Sequence, residues 1–494
     1  MRSMLPAPPS DPSDSSDSSR PWPAPRLCAP LLAALVLAGC ATRLPSAPDG
    51  GVPVPGAWAG QGAVQAPAAR PADDLAQWWR QLGDAQLTGL VTQALQAHTS
   101  MRSARAAVEQ ARAQRDVQAA GLLPSLDASG SAQRSRSNGA TGNSFQLGLD
   151  ASWEPDLFGR IASGVRAGEA DLLAAEAGVA AAQVALAAEV AVNYISLRSQ
   201  QQRLQIAESN LAAQRETAQI TGWRVQAGLA SAVAEQQART IVEQTAAQLP
   251  ALQAGMAQAR HALAVLTGQP PAALDQALAA SAPVPQAPAR LALAFPADTL
   301  RQRPDVRQAE LGVRAAWERV AQAEAQRLPS LRLGGTLGLK ALSLGALTGG
   351  GATAASLLAS VSLPVFDGGA LRAQVRAQEA ALEQARVGYE AAVLGALKDV
   401  EDALVALQGD RERLARLEAA AEAAGNAALL AQHQYASGLV DFQTVLDTQR
   451  TLLTAQDGVA STVASASTNH VRLYKALGGG WQAPREAGPQ GQEP

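Results

Sequence analysis

Two kinds of hydrophobic pattern alternate along this chain, and each occurs twice. Over Ser125–Ser135 and Ser144–Trp153, apolar residues alternate with small or polar ones, as at Phe145, Leu147, Leu149 and Ala151. A period of two over about ten residues predicts β-strands, each the length of a tilted transmembrane strand. The next stretch changes period. From Gly159 to about Gln226, apolar positions fall at Leu186, Val190, Tyr194, Leu197, Leu204 and Leu211, in steps of three, four and seven. That is a coiled-coil seam, and at 1.5 Å per residue it predicts one helix of about 100 Å.

The arrangement then recurs. Ser330–Leu339 and Ala355–Leu363 form a second strand pair, and a second seam runs from Gly369 to about Tyr435 through Tyr389, Val393, Leu397, Val400, Leu404, Leu407, Leu414 and Leu417. Three landmarks keep a near-constant displacement: Pro124 to Pro329 is 205 residues, Phe158 to Phe366 is 208 and Gly228 to Gly438 is 210. A period this long marks a duplicated domain and not a solenoid. The predicted class is mainly α with a small β membrane part, built as a strand–strand–long-helix unit used twice. Polar or glycine-rich loops, Arg134–Asn143 and Lys340–Thr353, separate the strands of each pair.

No proline interrupts Asp156 to Leu249 or Val365 to Ala483. Gly228 and Gly438 nevertheless break the two long helices at matching places, each with a shorter helix beyond (Val233–Leu266 and Phe442–Leu477). Glycine there predicts a tight reversal between antiparallel helices. Asp441 stands where an N-cap of the second return helix is needed. A short amphipathic segment, Asp84–Ala97, and a helix from about Ser100 to Ala120 precede the first strands. The units so drawn are 75–268 and 291–477, joined by a Pro/Ala-rich linker at 269–290 and followed by a disordered tail at 478–494.

The N-terminus adds a destination. Leu27 to Ala38 is an apolar run behind Arg20 and Arg26 that ends in Leu37-Ala38-Gly39-Cys40, the outline of a secretory signal over residues 1–39. Leu-Ala-Gly-Cys resembles the bacterial lipobox, which implies that Cys40 carries the acyl chains and that Cys28 leaves with the leader. Ala41, in place of aspartate, then favours delivery to the outer membrane. Residues 40–74 read as an acylated, proline-rich tether.

Composition narrows the function classes. Of 494 residues 47% are hydrophobic, much of that alanine, and only 3% are aromatic, which suits long helices packed closely better than a thick core. A net charge of −3 lacks the basic footprint of a nucleic-acid binder. His98, His261, His433 and His470 have no metal-ligand spacing, and no nucleophile elbow or phosphate-cradling loop occurs. The sequence therefore predicts neither a cofactor nor an enzyme.

Several of these segments together resemble the TolC-like outer-membrane efflux proteins, in particular the lipoprotein branch that partners RND-type pumps (NodT/OprM-like). They are Trp153-Glu154-Pro155-Asp156-Leu157-Phe158-Gly159-Arg160, Arg303-Pro304-Asp305-Val306-Arg307-Gln308-Ala309-Glu310, Leu328-Pro329-Ser330-Leu331, and Tyr435-Ala436-Ser437-Gly438-Leu439-Val440-Asp441-Phe442 leading to Val445-Leu446-Asp447. The resemblance covers about residues 75–480. It implies a homotrimer whose four strands per protomer make a twelve-stranded β-barrel in outer-membrane lipid, continuing into a periplasmic α-helical barrel. It further implies passage of small toxic compounds handed over by an inner-membrane pump and a periplasmic adaptor. A duct for type I protein secretion, or a non-channel periplasmic coiled-coil lipoprotein, are the alternatives.

Carried over residue by residue, the resemblance puts the channel aperture at the reversals, Gly228 and Gly438. Tyr435 matches a tip tyrosine and Asp447 one of two carboxylates that ring the closed pore. The second ring position falls at Thr444, a tip carboxylate falls at Ala234, and a link-forming arginine becomes Val440. The aperture is thus less charged than the family pattern. From the residues alone, Asp447 equally fits a solvated first-turn residue, Asp441 an N-cap, and Tyr435 and Trp223 packing wedges at the turn.

Overall fold

The computed structural model describes residues 53–59, 73–137, 139–287 and 296–482. The signal segment, Cys40, most of the tether, residues 288–295 of the linker and residues 483–494 lie outside the described residues. A helical turn at Asp73–Ala76 and a 3₁₀ turn at Trp78–Leu82 lead into α1 (Ala85–Ala97) and α2 (Thr99–Ala120). The first strand pair, β1 (Ser125–Ser137) and β2 (Ala140–Trp153), feeds α3 (Arg160–Gln226), and α4 (Ala232–Ala246) and α5 (Gln248–Leu266) return. After a short α6 (Pro296–Gln302), the second unit runs α7 (Pro304–Ala325), β3 (Ser330–Ala341), β4 (Thr353–Ser362), α8 (Ala370–Ala436) and α9 (Phe442–Ala476).

The two long helices are the same length, 67 residues each, and each begins after a left-handed glycine, Gly159 or Gly369. By length and composition α3 contains a stretch apolar enough to cross a membrane, yet it packs along α2, α7 and α9. Its apolar positions serve helix packing. The strands form one antiparallel sheet in the order β1-β2-β3-β4. β1 and β4 are therefore open edges, and apolar side chains such as Leu126, Leu147, Leu337, Leu357 and Val361 stand exposed on the sheet.

The principal core lies where the helices cross the N-terminal segment. Trp78 is fully buried, stacked 5.2 Å from Tyr474 and edge-on to Trp79 at 5.8 Å. Tyr194 and Leu197 of α3, Leu404 and Leu407 of α8, and Leu473 of α9 pack into the same cluster. The Tyr194 hydroxyl donates to Asp84 Oδ2 at 2.8 Å while Asp84 Oδ1 caps α1 through Leu87 N, 2.9 Å. Burial pushes the Tyr194 phenol up to about 12, so it remains a neutral donor. Here the thin alanine packing of the long helices is reinforced by aromatic bulk.

Three sequence expectations change, and the linker proves to be packed. β1 and β2 extend through most of the loop assigned to Arg134–Asn143: Ser137 pairs with Ala140, leaving a two-residue connection in which Gly139 has φ 82°. An Asn-Gly pair at 138–139 is the composition such a tight hairpin turn needs. The first return helix is not continuous from Val233 to Leu266 but divides at Ala247. Pro250, lacking an N–H, cannot bond the Ala246 carbonyl one turn earlier. Within the linker at 269–290, Leu274, Leu278 and Val284 are buried, and Arg198 and Gln201 hold its backbone at Ala280 and Leu278. The tail assigned to 478–494 begins ordered: Gly480 N donates to Leu75 O at 2.9 Å and Trp481 Nε1 to Gln302 O at 3.0 Å.

Candidate functional site at the helical tip

Both long helices end in the same hydrogen-bonded reversal. In the first, Leu229 N donates to Arg224 O (2.7 Å) and Gly228 N to Val225 O (3.0 Å); in the second, Leu439 N donates to Gln434 O (2.8 Å) and Gly438 N to Tyr435 O (3.1 Å). This is the Schellman pattern, which needs a left-handed residue, and Gly228 (φ 72°) and Gly438 (φ 76°) supply it. The return helices are capped alike. Ser231 Oγ accepts from Ala234 N at 3.2 Å, and Asp441 Oδ1 accepts from Thr444 N at 2.9 Å. Thr444 Oγ1 also donates to Asp441 Oδ1 at 2.6 Å, and the two bonds hold the Asp441 carboxyl below the usual carboxylate range. Asp441 is thus the N-cap of α9.

The two reversals are packed together. Ala238 and Ile241 of α4 meet Phe442 and Leu446 of α9 in a small apolar cluster, with Ala218, Ala234 and Tyr435 against it. Tyr435 is half-buried, its ring 5.4 Å from that of Phe442. Arg224 lies over the same ring, with the guanidinium carbon 4.4 Å from its centroid. The sequence reading overlooked Arg224. Its signal was a basic residue in the last turn of α3, where it complements the helix dipole.

Asp447 is exposed one turn into α9. It accepts from Gln443 Nε2 at 3.1 Å, and Arg450 Nη1 lies 3.9 Å away. Val440, Thr444 and Ala234 bring no further charge to the tip. Trp223 is not the packing wedge expected of it: the residue is 58% exposed in the single chain, and Leu229 and Leu439 at the turns are 74% and 76% exposed. The tip therefore presents bare apolar side chains on a rigid, doubly capped frame.

Behind the tip the coiled-coil seam turns polar. Gln214, Thr217 and Thr221 continue the three- and four-residue spacing of α3 and are buried, as is Gln449 of α9. Gln449 Nε2 donates to Thr217 Oγ1 at 3.0 Å, but neither amide atom of Gln214 has a partner among the described residues. No cluster of three or more His, Cys, Asp or Glu fit to hold a metal occurs among the described residues.

Comparison with known proteins agrees with this architecture. The family model for the outer membrane efflux protein matches twice, over residues 90–269 and 295–479, one match for each unit of the duplication. Outer membrane protein OprJ of Pseudomonas aeruginosa is 33% identical over 471 residues, covering 92% of this chain and 96% of its own. The toluene efflux pump outer membrane protein TtgC of Pseudomonas putida is 32% identical over 465 residues, covering 91% and 94% respectively. Among solved structures, the outer-membrane channel OprN superposes with a TM-score of 0.83 at 34% identity, across 88% of this chain and 99% of that one. With both halves matched and the whole architecture shared, the chain belongs to the outer membrane efflux protein family.

Proposed function

We propose that this chain is the outer-membrane duct of a tripartite efflux system, a passive exit for small toxic compounds that performs no catalysis of its own. One observation carries the reading: a four-stranded sheet with two open edges feeds a pair of 67-residue helices. Unpaired strand edges are not tolerated in lipid, so the sheet must be closed by other copies. Three protomers give twelve strands, and the six long helices then continue the wall as a cylinder through the periplasm. Cys40 anchors each tether in the inner leaflet of the outer membrane. The exposed Trp223, Leu229 and Leu439 face away from the membrane end and form the docking surface for a periplasmic adaptor, which connects the duct to an inner-membrane RND-type pump. A cargo of small organic molecules is favoured over secreted protein by the relative named for toluene efflux.

Two measurements test this. Cysteines placed at Asn138 and Gly350, in the two hairpin connections, should both react with a membrane-impermeant maleimide added to intact cells. The purified protein should form channels in planar bilayers. Protection of both cysteines from the external reagent, with no conductance even after Arg224→Ala, would leave a periplasmic coiled-coil lipoprotein as the better account.

A further inference from the structure

The duplication provides a template for the contact between protomers. Inside one chain, the β2–α3 turn of the first unit meets the α7–β3 turn of the second. Phe158 shares a cleft of about 360 Å³ with Leu328 and Pro329, and all three are half-buried. The equivalent residues at the chain's two outer flanks are bare. Phe366, the counterpart of Phe158, is 92% exposed and Val365 90%, while Leu123, the counterpart of Leu328, is 69% exposed. The helices repeat the contrast: α7 packs along both α3 and α8, whereas α2 has only α3 among the long helices along its length.

Topology places these bare flanks at one level. β1 begins just after Leu122-Leu123-Pro124, and β4 ends just before Leu363-Pro364-Val365-Phe366, so both lie at the helix-side rim of the sheet on opposite edges. Closing the barrel brings the β4 edge of one protomer to the β1 edge of the next. Both flanks are also held in place beforehand. Trp153 Nε1 donates to the Leu122 carbonyl at 3.0 Å, and Asp367 accepts from Gly369 N at 2.8 Å and Leu371 N at 2.7 Å. A rigid exposed phenylalanine and a rigid exposed leucine turn, related as a covered pair is within the chain, are two halves of one joint.

We infer that Phe366, with Val365, seats on the Leu122–Pro124 turn of a second copy of this chain and locks adjacent protomers together at the rim where barrel becomes helix. The lock rests on the trimeric reading above. It extends that reading from strand pairing, which any edge could attempt, to a side-chain joint that selects the β4-to-β1 order.

The test uses the full-length chain, whose only native cysteines are Cys28 and Cys40. With Leu123→Cys and Phe366→Cys in one chain, a short bismaleimide should convert the detergent-purified protein into covalent dimers and closed trimers. Either substitution alone should give none. A protein that sizes as a trimer but does not cross-link through this pair overturns the joint while sparing the trimer; a protein that sizes as a monomer overturns both. Lipid is the competing occupant. The emission that Phe366→Trp adds over the parent, which already carries eight tryptophans, should not be quenched by brominated lipid, and strong quenching of that added emission would overturn the joint in favour of a membrane anchor. Phe366→Ala should lower the temperature at which the trimer dissociates in SDS, and Phe366→Leu should largely restore it.

Discussion

Arg224 of the first hairpin lies over the ring of Tyr435 in the second, 4.4 Å from guanidinium carbon to centroid, and its Nη1 donates to the Tyr435 carbonyl at 3.3 Å. These residues end the two long helices. Among the described residues, the contact is therefore the polar tie between reversals that otherwise share a small apolar cluster. A cation–π pair in this partly exposed setting contributes about 0.5–1 kcal/mol. Arg224→Ala should then raise the ratio of open to closed channels by about two- to fivefold, read as single-channel open probability in planar bilayers. Arg224→Lys keeps the charge but loses the planar stack, so it should fall between. Unchanged gating in Arg224→Ala would mean that this tie does not restrain the aperture.

Gln214 offers a different handle. It is 2% exposed with no partner for its amide among the described residues, in a seam that is apolar at Leu197 and Leu211. Burying an amide without a hydrogen bond costs about 1–3 kcal/mol. Gln214→Leu should stabilise the protein, raising the thermal midpoint by about 2 °C in circular dichroism of the detergent-solubilised protein. A fall in the midpoint would show that the polar position is matched by its surroundings in the assembled cylinder.

Asp447, the residue that the family resemblance would place at the aperture, has a cation of its own chain 3.9 Å away in Arg450. Were three copies to bring Asp447 around an axis, Arg450 would partly neutralise each carboxylate, and the position of the family's second carboxylate is Thr444 here. Divalent cations should consequently block the conductance only weakly. Arg450→Gln should strengthen that block and increase cation selectivity, measured as the reversal potential in a salt gradient, while Asp447→Asn should abolish both changes. An equally strong divalent block in the parent and Arg450→Gln proteins would refute this pairing.

The period-two and heptad patterns made the strands and both 67-residue helices readable, because an element buried along one face must repeat its apolar positions. Gly228, Gly438 and Asp441 were legible for a related reason: a left-handed turn and a helix start each admit few residue types. What escaped depends on partners distant in sequence. Arg224 meets Tyr435 across 211 residues, and nothing local announces that the two reversals adjoin. Trp223 was misplaced because an aromatic residue at a turn is usually covered, and here it is bare. The division at Ala247 could have been read from Pro250, whose missing donor outweighs the helical pattern around it. The start of the tail is ordered where the sequence predicts disorder, because Gly478–Gly480 allow the chain to lie close against Trp78 and Gln302.

Acid stability depends on Arg303, only 8% exposed at the start of α7. Its Nε and Nη2 donate to the two oxygens of Asp305 at 3.0 and 2.6 Å, while Nη1 reaches Asp399 Oδ2 at 3.2 Å and the Ala476 carbonyl at 3.1 Å. One guanidinium thus joins α7 to α8 and to the end of α9. Burial alone would push the Asp305 carboxyl up, but the hydrogen bonds and charge of Arg303 outweigh it and hold the carboxyl below its ordinary value. A depressed folded-state pKa stabilises the fold fully above the unfolded carboxylate value of about 3.9 and loses that contribution as pH falls through the lower folded value. The thermal midpoint should accordingly not vary with pH through this pair near neutrality and should decline below about pH 4. Asp305→Asn should lower the midpoint at pH 7 and flatten the acid decline. Arg303→Met should cost about 1.5–3 kcal/mol, the range for hydrogen bonds to a charged group, because the carboxylates and the Ala476 carbonyl lose their common donor. If Asp305→Asn keeps the parent's full acid decline, the pH dependence belongs to other carboxylates and the Arg303 junction is only a packing contact.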